Sequence, residues 1–175
     1  PFWTRRMEKE LDLFLYFRFM KREGSRAMMR ILIAEDEQRA RRGLKNVISS
    51  ISDEYRIVAE VSDGRQALEM MQIVKPDVVF TDLKMPYMGG IELIKASQAA
   101  GMQAKYVIVS AYEEFEYARQ AITLGVKDYL VKPITVDEVK NVMFRLEAEP
   151  HTEWQGSTQS QSLKQKYPDA HPLVR

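Results

Sequence analysis

Side chains able to do chemistry stand in this sequence where apolar runs stop. Glu35 and Asp36 follow Ile31-Leu32-Ile33-Ala34, and Asp82 follows Val78-Val79-Phe80-Thr81. Ser110 ends a run from Lys105 to Val109, and Lys132 ends one from Val126 to Val131. Each has an ordinary explanation alone. Asp is a common terminating residue, paired acids suit the approach to a helix N-terminus, a serine can cap, and a lysine before proline can be a solvated strand end. Brought to one mouth, they would be three carboxylates, a hydroxyl and an ammonium. Clustered carboxylates repel and need a cation, and an all-oxygen set of this size suits Mg2+ with retained waters. A metal beside a carboxylate and a lysine is equipment for phosphoryl transfer, in which a carboxylate can be the nucleophile. The chain has no Walker-type glycine loop and no Gly-x-Gly-x-x-Gly, so nucleotide hydrolysis is disfavoured.

The elements that must position these groups are legible as an alternation from Met29 onward. Strands are expected at Arg30 to Ala34, Arg56 to Val61, Asp77 to Thr81, Lys105 to Val109 and Val126 to Val131. Between them, apolar residues recur at helical spacing. The sets are Ala40, Leu44, Val47, Ile48 and Ile51; Ala67, Leu68, Met71 and Val74; Ile91, Leu93 and Ile94; and Phe115, Ala118 and Ile122 in a helix from about Glu113. A last helix carries Val136, Val139, Val142, Met143 and Leu146, with Thr135 and Glu138 spaced as a capping box. Lys75-Pro76, Gly101 and Gly125 are expected helix ends. Five such units within about 120 residues predict an α/β fold, a parallel sheet covered on both faces. In that fold every strand's carboxyl end opens on one edge, where ligands bind. No internal repeat is visible.

Composition narrows the rest. The net charge of +1 is unevenly spread. Residues 1–28 hold seven Lys or Arg against four acids, and residues 29–149 hold sixteen against nineteen. The mildly acidic centre gives no encouragement to nucleic-acid binding by that block. With no cysteine, disulfides, thiol catalysis and zinc–thiolate sites are excluded, which agrees with a cytoplasmic address. No stretch approaches the roughly 18 apolar residues of a membrane span, so no membrane partner is expected.

The runs Ile31 to Glu37, Asp82-Leu83-Lys84-Met85-Pro86-Tyr87-Met88-Gly89-Gly90, Ser110-Ala111-Tyr112 and Tyr129-Leu130-Val131-Lys132-Pro133 resemble response-regulator receiver domains, in the same order. The resemblance implies a flavodoxin-like five-stranded sheet of order 2-1-3-4-5 with helices on both faces. It implies Asp82 as acceptor of phosphate from a sensor histidine kinase, with Mg2+ at Glu35, Asp36, Asp82 and the backbone carbonyl of Lys84. Asp36 would be a direct ligand and Glu35 would act through water. Ser110 would bond a phosphoryl oxygen, Lys132 would pair with the phosphate, and Tyr129 would be the aromatic switch whose ring turns inward. The side chains of Lys84 and Tyr112 would tune phosphate lifetime. Glu35 stands where Asp is frequent and Gly89 where Asp or Ser is frequent, both mild departures. Such a domain catalyses only its own phosphorylation and dephosphorylation and is not otherwise an enzyme.

Three regions are expected: an N-terminal extension or leader over residues 1–28, a receiver over 29–149, and a polar linker or disordered tail over 150–175. The last leads towards an output domain not in this chain. The segment Glu113 to Ile122 resembles receivers fused to AraC-type helix-turn-helix domains, so transcription is the expected output, with DNA contacted only by that further domain. The alternative is a stand-alone receiver acting by docking in a phosphorelay or chemotaxis-like pathway. A phosphorylation-dependent homodimer through the fourth helix, fifth strand and last helix is also expected. His151 and His171 lack companion ligands and suggest no metal site.

Overall fold

The computed structural model describes residues 28–111 and 115–148. The expected N-terminal extension up to residue 27, the polar tail, both histidines, Tyr112 and the start of the helix near Glu113 lie outside the described residues. Five strands, β1 (Met29–Ala34), β2 (Tyr55–Val61), β3 (Val78–Thr81), β4 (Lys105–Ser110) and β5 (Asp128–Val131), alternate with five helices. These are α1 (Gln38–Ile51), α2 (Gly64–Val74), α3 (Gly90–Ala99), α4 (Phe115–Thr123) and α5 (Val136–Ala148). All pairings are parallel and the order is β2-β1-β3-β4-β5. The flavodoxin-like expectation is borne out.

The period-2 alternation of the strands divides the core in two. Leu32, Ala34, Val79, Ile108 and Tyr129 pack with Ala67 and Met71 of α2, Ile91 and Ile94 of α3, and Ala121 and Ile122 of α4. Ile31, Ile33, Val78, Phe80, Val107, Val109 and Leu130 pack with Leu44 and Ile48 of α1 and Val139, Val142, Met143 and Leu146 of α5. Sheet faces buried on both sides explain why these strands read as continuous apolar runs.

Helix ends follow their local chemistry. The Asp63 carboxylate accepts from the amides of Arg65 and Gln66, capping α2. Thr135 and Glu138 form the expected capping box, with Thr135 N–H on Glu138 at 2.9 Å and Glu138 N–H on the Thr135 hydroxyl at 3.3 Å. Gly101, at φ 72, follows α3 and lets Met102 N–H reach Ser97 C=O at 3.0 Å, a Schellman closure.

Strand bounds differ slightly from expectation, for stated reasons. β5 begins at Asp128 rather than Val126, because the Val126 amide closes the end of α4 on Ala121 C=O at 3.0 Å. β4 reaches Ser110, which pairs with Val131, and β2 starts at Tyr55, opposite Met29. β3 starts at Val78, where Asp77 instead receives Arg30 N–H on its carboxylate at 2.7 Å.

Candidate functional site

Register brings the strand ends level. Ala34 lies opposite Thr81, so the residues that follow, Glu35 and Asp82, are neighbours at the sheet edge. Asp82 N–H donates to Ala34 C=O at 2.9 Å, and Glu35 N–H donates to Val61 C=O at 3.0 Å. On the other side Lys132 N–H donates to Ser110 C=O at 2.9 Å. Parity then sorts the side chains. Glu35 continues the alternation of Ile31 and Ile33, Asp82 that of Val78 and Phe80, and Lys132 that of Leu130, all towards the α1 and α5 face. Ser110 continues the set of Tyr106 and Ile108, which with Tyr129 faces α2, α3 and α4. Glu35, Asp82 and Lys132 therefore share one face, and Ser110 and Tyr129 share the other.

The geometry agrees. The Lys132 ammonium lies 2.7 Å from Glu35 Oε2 and 2.8 Å from Asp82 Oδ2. Glu35 is 2% exposed and Asp82 8% exposed, whereas Asp36 is exposed. One oxygen from each of Glu35, Asp36 and Asp82 falls within 4.8 Å of the others, an oxygen set that fits a small hard cation. Burial pushes the Glu35 carboxyl above its ordinary value, against the hydrogen bond from Lys132, and the nearby Asp82 charge adds to the rise. Burial pulls Lys132 down, but hydrogen bonds and attraction from Asp82 and Glu35 outweigh it, so its pKa is raised. A buried carboxylate pair held by one ammonium still carries excess negative charge. Such an arrangement is compatible with a small cation beside the carboxylates.

The loop after Asp82 is packed tightly behind it. A Cβ on Gly90 would stand 2.3 Å from Asp82 C=O and 3.0 Å from Thr81 Oγ1, so only glycine fits. Gly90 N–H donates to Leu83 C=O at 3.0 Å, closing the turn that Met85-Pro86 begins. Lys84 N–H lies 3.4 Å from Asp82 Oδ1, and the Lys84 ammonium lies 5.8 Å from the Tyr117 ring centroid. Ser110 is fully buried and Tyr129 is 1% exposed. The Lys132–Pro133 peptide is cis.

Two participants were not singled out from sequence. Arg41 donates through its guanidinium to the backbone carbonyls of Glu35 and, at 3.5 Å, Asp36, bracing the acidic loop from α1. Its position in the first turn of the helix after the acids was the available signal. Tyr117 is the other, and no local pattern marks it.

Comparison with known proteins bears on the same stretch. Residues 31–144 match the response regulator receiver domain. The chain is 34% identical over 122 residues to the uncharacterized transcriptional regulatory protein YesN of Bacillus subtilis, covering 70% of this chain and 33% of YesN. It is 32% identical over 119 residues to the transcriptional regulatory protein HptR of Staphylococcus aureus, covering 68% of this chain and 46% of HptR. It thus spans a third to about half of these curated relatives. Among solved structures, the REC domain of AraT, a response regulator from Geobacillus stearothermophilus, aligns with a TM-score of 0.62 at 34% identity, covering 69% of this chain and 93% of that one. The signal receiver domain of NarL from Mycobacterium tuberculosis aligns with a TM-score of 0.65 at 26% identity, covering 71% and 100%.

Proposed function

This chain belongs to the response regulator receiver domain family of two-component systems, and we propose that it takes a phosphoryl group from a sensor histidine kinase onto Asp82. The observation that carries this is the Lys132 ammonium bonded at once to Asp82 and Glu35 beside a three-carboxylate cluster. An Asp82 carboxylate oxygen attacks the phosphorus of the donor's phosphohistidine as the P–N bond breaks. The electron pair of that bond leaves with the imidazole, which takes up a proton from solvent, and Asp82 becomes an acyl phosphate. Asp36, Asp82 and the Lys84 carbonyl would hold Mg2+, with Glu35 assisting through water. When bound, that ion neutralises charge on the phosphoryl oxygens.

Lys132 exchanges its hold on Asp82 for a phosphoryl oxygen. The Ser110 hydroxyl takes another, and Tyr129, on the same sheet face, follows it. Lys84 and Tyr112 set how long the phosphate survives. The domain acts in the cytoplasm as a switch and catalyses only its own phosphorylation and dephosphorylation; among the described residues no helix is long and apolar enough to cross a membrane.

The switched output is transcription, through a helix-turn-helix domain of AraC type outside this chain that alone touches DNA. Support comes from residues 113–122 and from relatives named transcriptional regulatory proteins. Phosphorylation promotes a homodimer through α4, β5 and α5. Beryllofluoride with Mg2+ should raise the sedimentation coefficient, and an unchanged value would remove the dimer from the account. The chemistry itself is tested with an acyl phosphate donor carrying a labelled phosphoryl group. The wild type should take up label in a Mg2+-dependent way, and an Asp82→Asn variant that still takes it up would show the acceptor to be elsewhere.

A further inference from the structure

The Lys84 ammonium lies 5.8 Å from the centre of the Tyr117 ring, within the range of a cation–π contact. Lys84 is exposed and belongs to the acceptor loop, where its amide faces Asp82 Oδ1. Tyr117 is half-buried on α4 and packs against the core cluster that also contains Tyr129 and Ile108. One side chain therefore spans from the loop that carries Asp82 to the helix above it. We propose that Tyr117 is a positioning residue that holds the Lys84 ammonium on α4 and releases it when Asp82 is phosphorylated, so that α4 senses the state of the acceptor. This rests on the phosphoacceptor reading given above.

The physical case is a competition for one cation. An exposed cation–π contact is a weak attraction, whereas an acyl phosphate brings nearly two negative charges to the loop that carries Lys84. A dianion in the partly desolvated mouth outweighs a ring quadrupole. Lys84 then turns from the ring to the phosphoryl oxygens, and α4 loses one tie to the acceptor loop. Coupling is reciprocal. Removing the ring takes away one competitor for the Lys84 ammonium and should favour the phosphorylated state.

The test is calorimetric titration of beryllofluoride, as the phosphoryl mimic, with saturating Mg2+ on the full chain. Tyr117→Leu should bind about two- to fivefold more tightly than the wild type, the worth of an exposed cation–π contact. Tyr117→Phe, which keeps the ring, should restore the wild-type value. In a Lys84→Met background Tyr117→Leu should have no effect. The same change in both backgrounds, no change in either, or Phe behaving as Leu overturns the proposal. Because Tyr117→Leu touches the core, Lys84→Met alone provides a second reading through hydrogen exchange. Amides of α4 should exchange faster in that variant without beryllofluoride, and unaltered protection of α4 overturns the latch. A wild type that binds no beryllofluoride would instead strike the phosphoacceptor reading, and the latch with it.

Discussion

Replacing Lys132 by methionine removes a charge while keeping most of the aliphatic stem. Two buried carboxylates, Glu35 and Asp82, then face each other without their shared ammonium. Breaking a buried pair by deleting one partner costs about 3–5 kcal/mol when burial is complete. The Lys132 side chain is 21% exposed, so the lower part of that range applies. A second limit comes from protonation. Glu35 can accept a proton and abolish the repulsion, which from an ordinary carboxyl value of 4.5 costs about 3.4 kcal/mol at pH 7 and about 0.7 kcal/mol at pH 5. The charge part of the loss should thus be about 3 kcal/mol at pH 7 and shrink below about 1 kcal/mol at pH 5. Mg2+ should recover much of it at pH 7, since a site freed of its resident cation binds the ion more tightly and binding stabilises the folded form. The assay is urea unfolding of wild type and variant at both pH values, with and without Mg2+. A loss independent of pH and of Mg2+ would show that Lys132 acts through packing and that the carboxylates do not feel each other.

Other consequences follow from single contacts. Gly90→Ala would drive a methyl group onto the Asp82 carbonyl and should cost about 2–3 kcal/mol in denaturant unfolding. Arg41→Ala frees the carbonyls of Glu35 and Asp36 and should weaken Mg2+ binding by about tenfold in calorimetry, as loss of an outer-shell brace does. The raised Glu35 pKa has a definite sign. Stability contributed by its protonated form is full below the ordinary value of 4.5 and is lost as pH rises through the higher folded value. Mg2+ needs the ionised carboxylate, so Mg2+ affinity should climb over that same interval, and a Mg2+ titration series across acid pH that stays flat would contradict the site.

Much of this site was legible because a parallel sheet turns one-dimensional spacing into position. Each apolar run ended in a polar group, and the fold class alone sent those ends to a common edge. Parity did the rest: odd Glu35 and even Asp82 and Lys132 share a face because each continues the alternation of its own strand. Capping chemistry at Thr135 and Glu138 and the αL position of Gly101 were local and therefore readable. What sequence hid was non-local. The Val126 amide could serve strand or helix end, and the helix took it. Arg41 acts through carbonyls, which carry no residue signature. The Lys84 to Tyr117 contact joins positions 33 residues apart on different elements, and no periodicity reports such a pairing.

The claim that most needs measuring is that Asp82, and no other acid of the cluster, carries the phosphoryl group. Phosphorylation by an acyl phosphate donor with Mg2+, trapping by borohydride reduction and peptide mass mapping would locate the acyl phosphate directly. The account predicts homoserine at position 82 and intact Glu35 and Asp36, with no product once the divalent ion is chelated. Reduction at Glu35 or Asp36, or an equal yield without the ion, would contradict it.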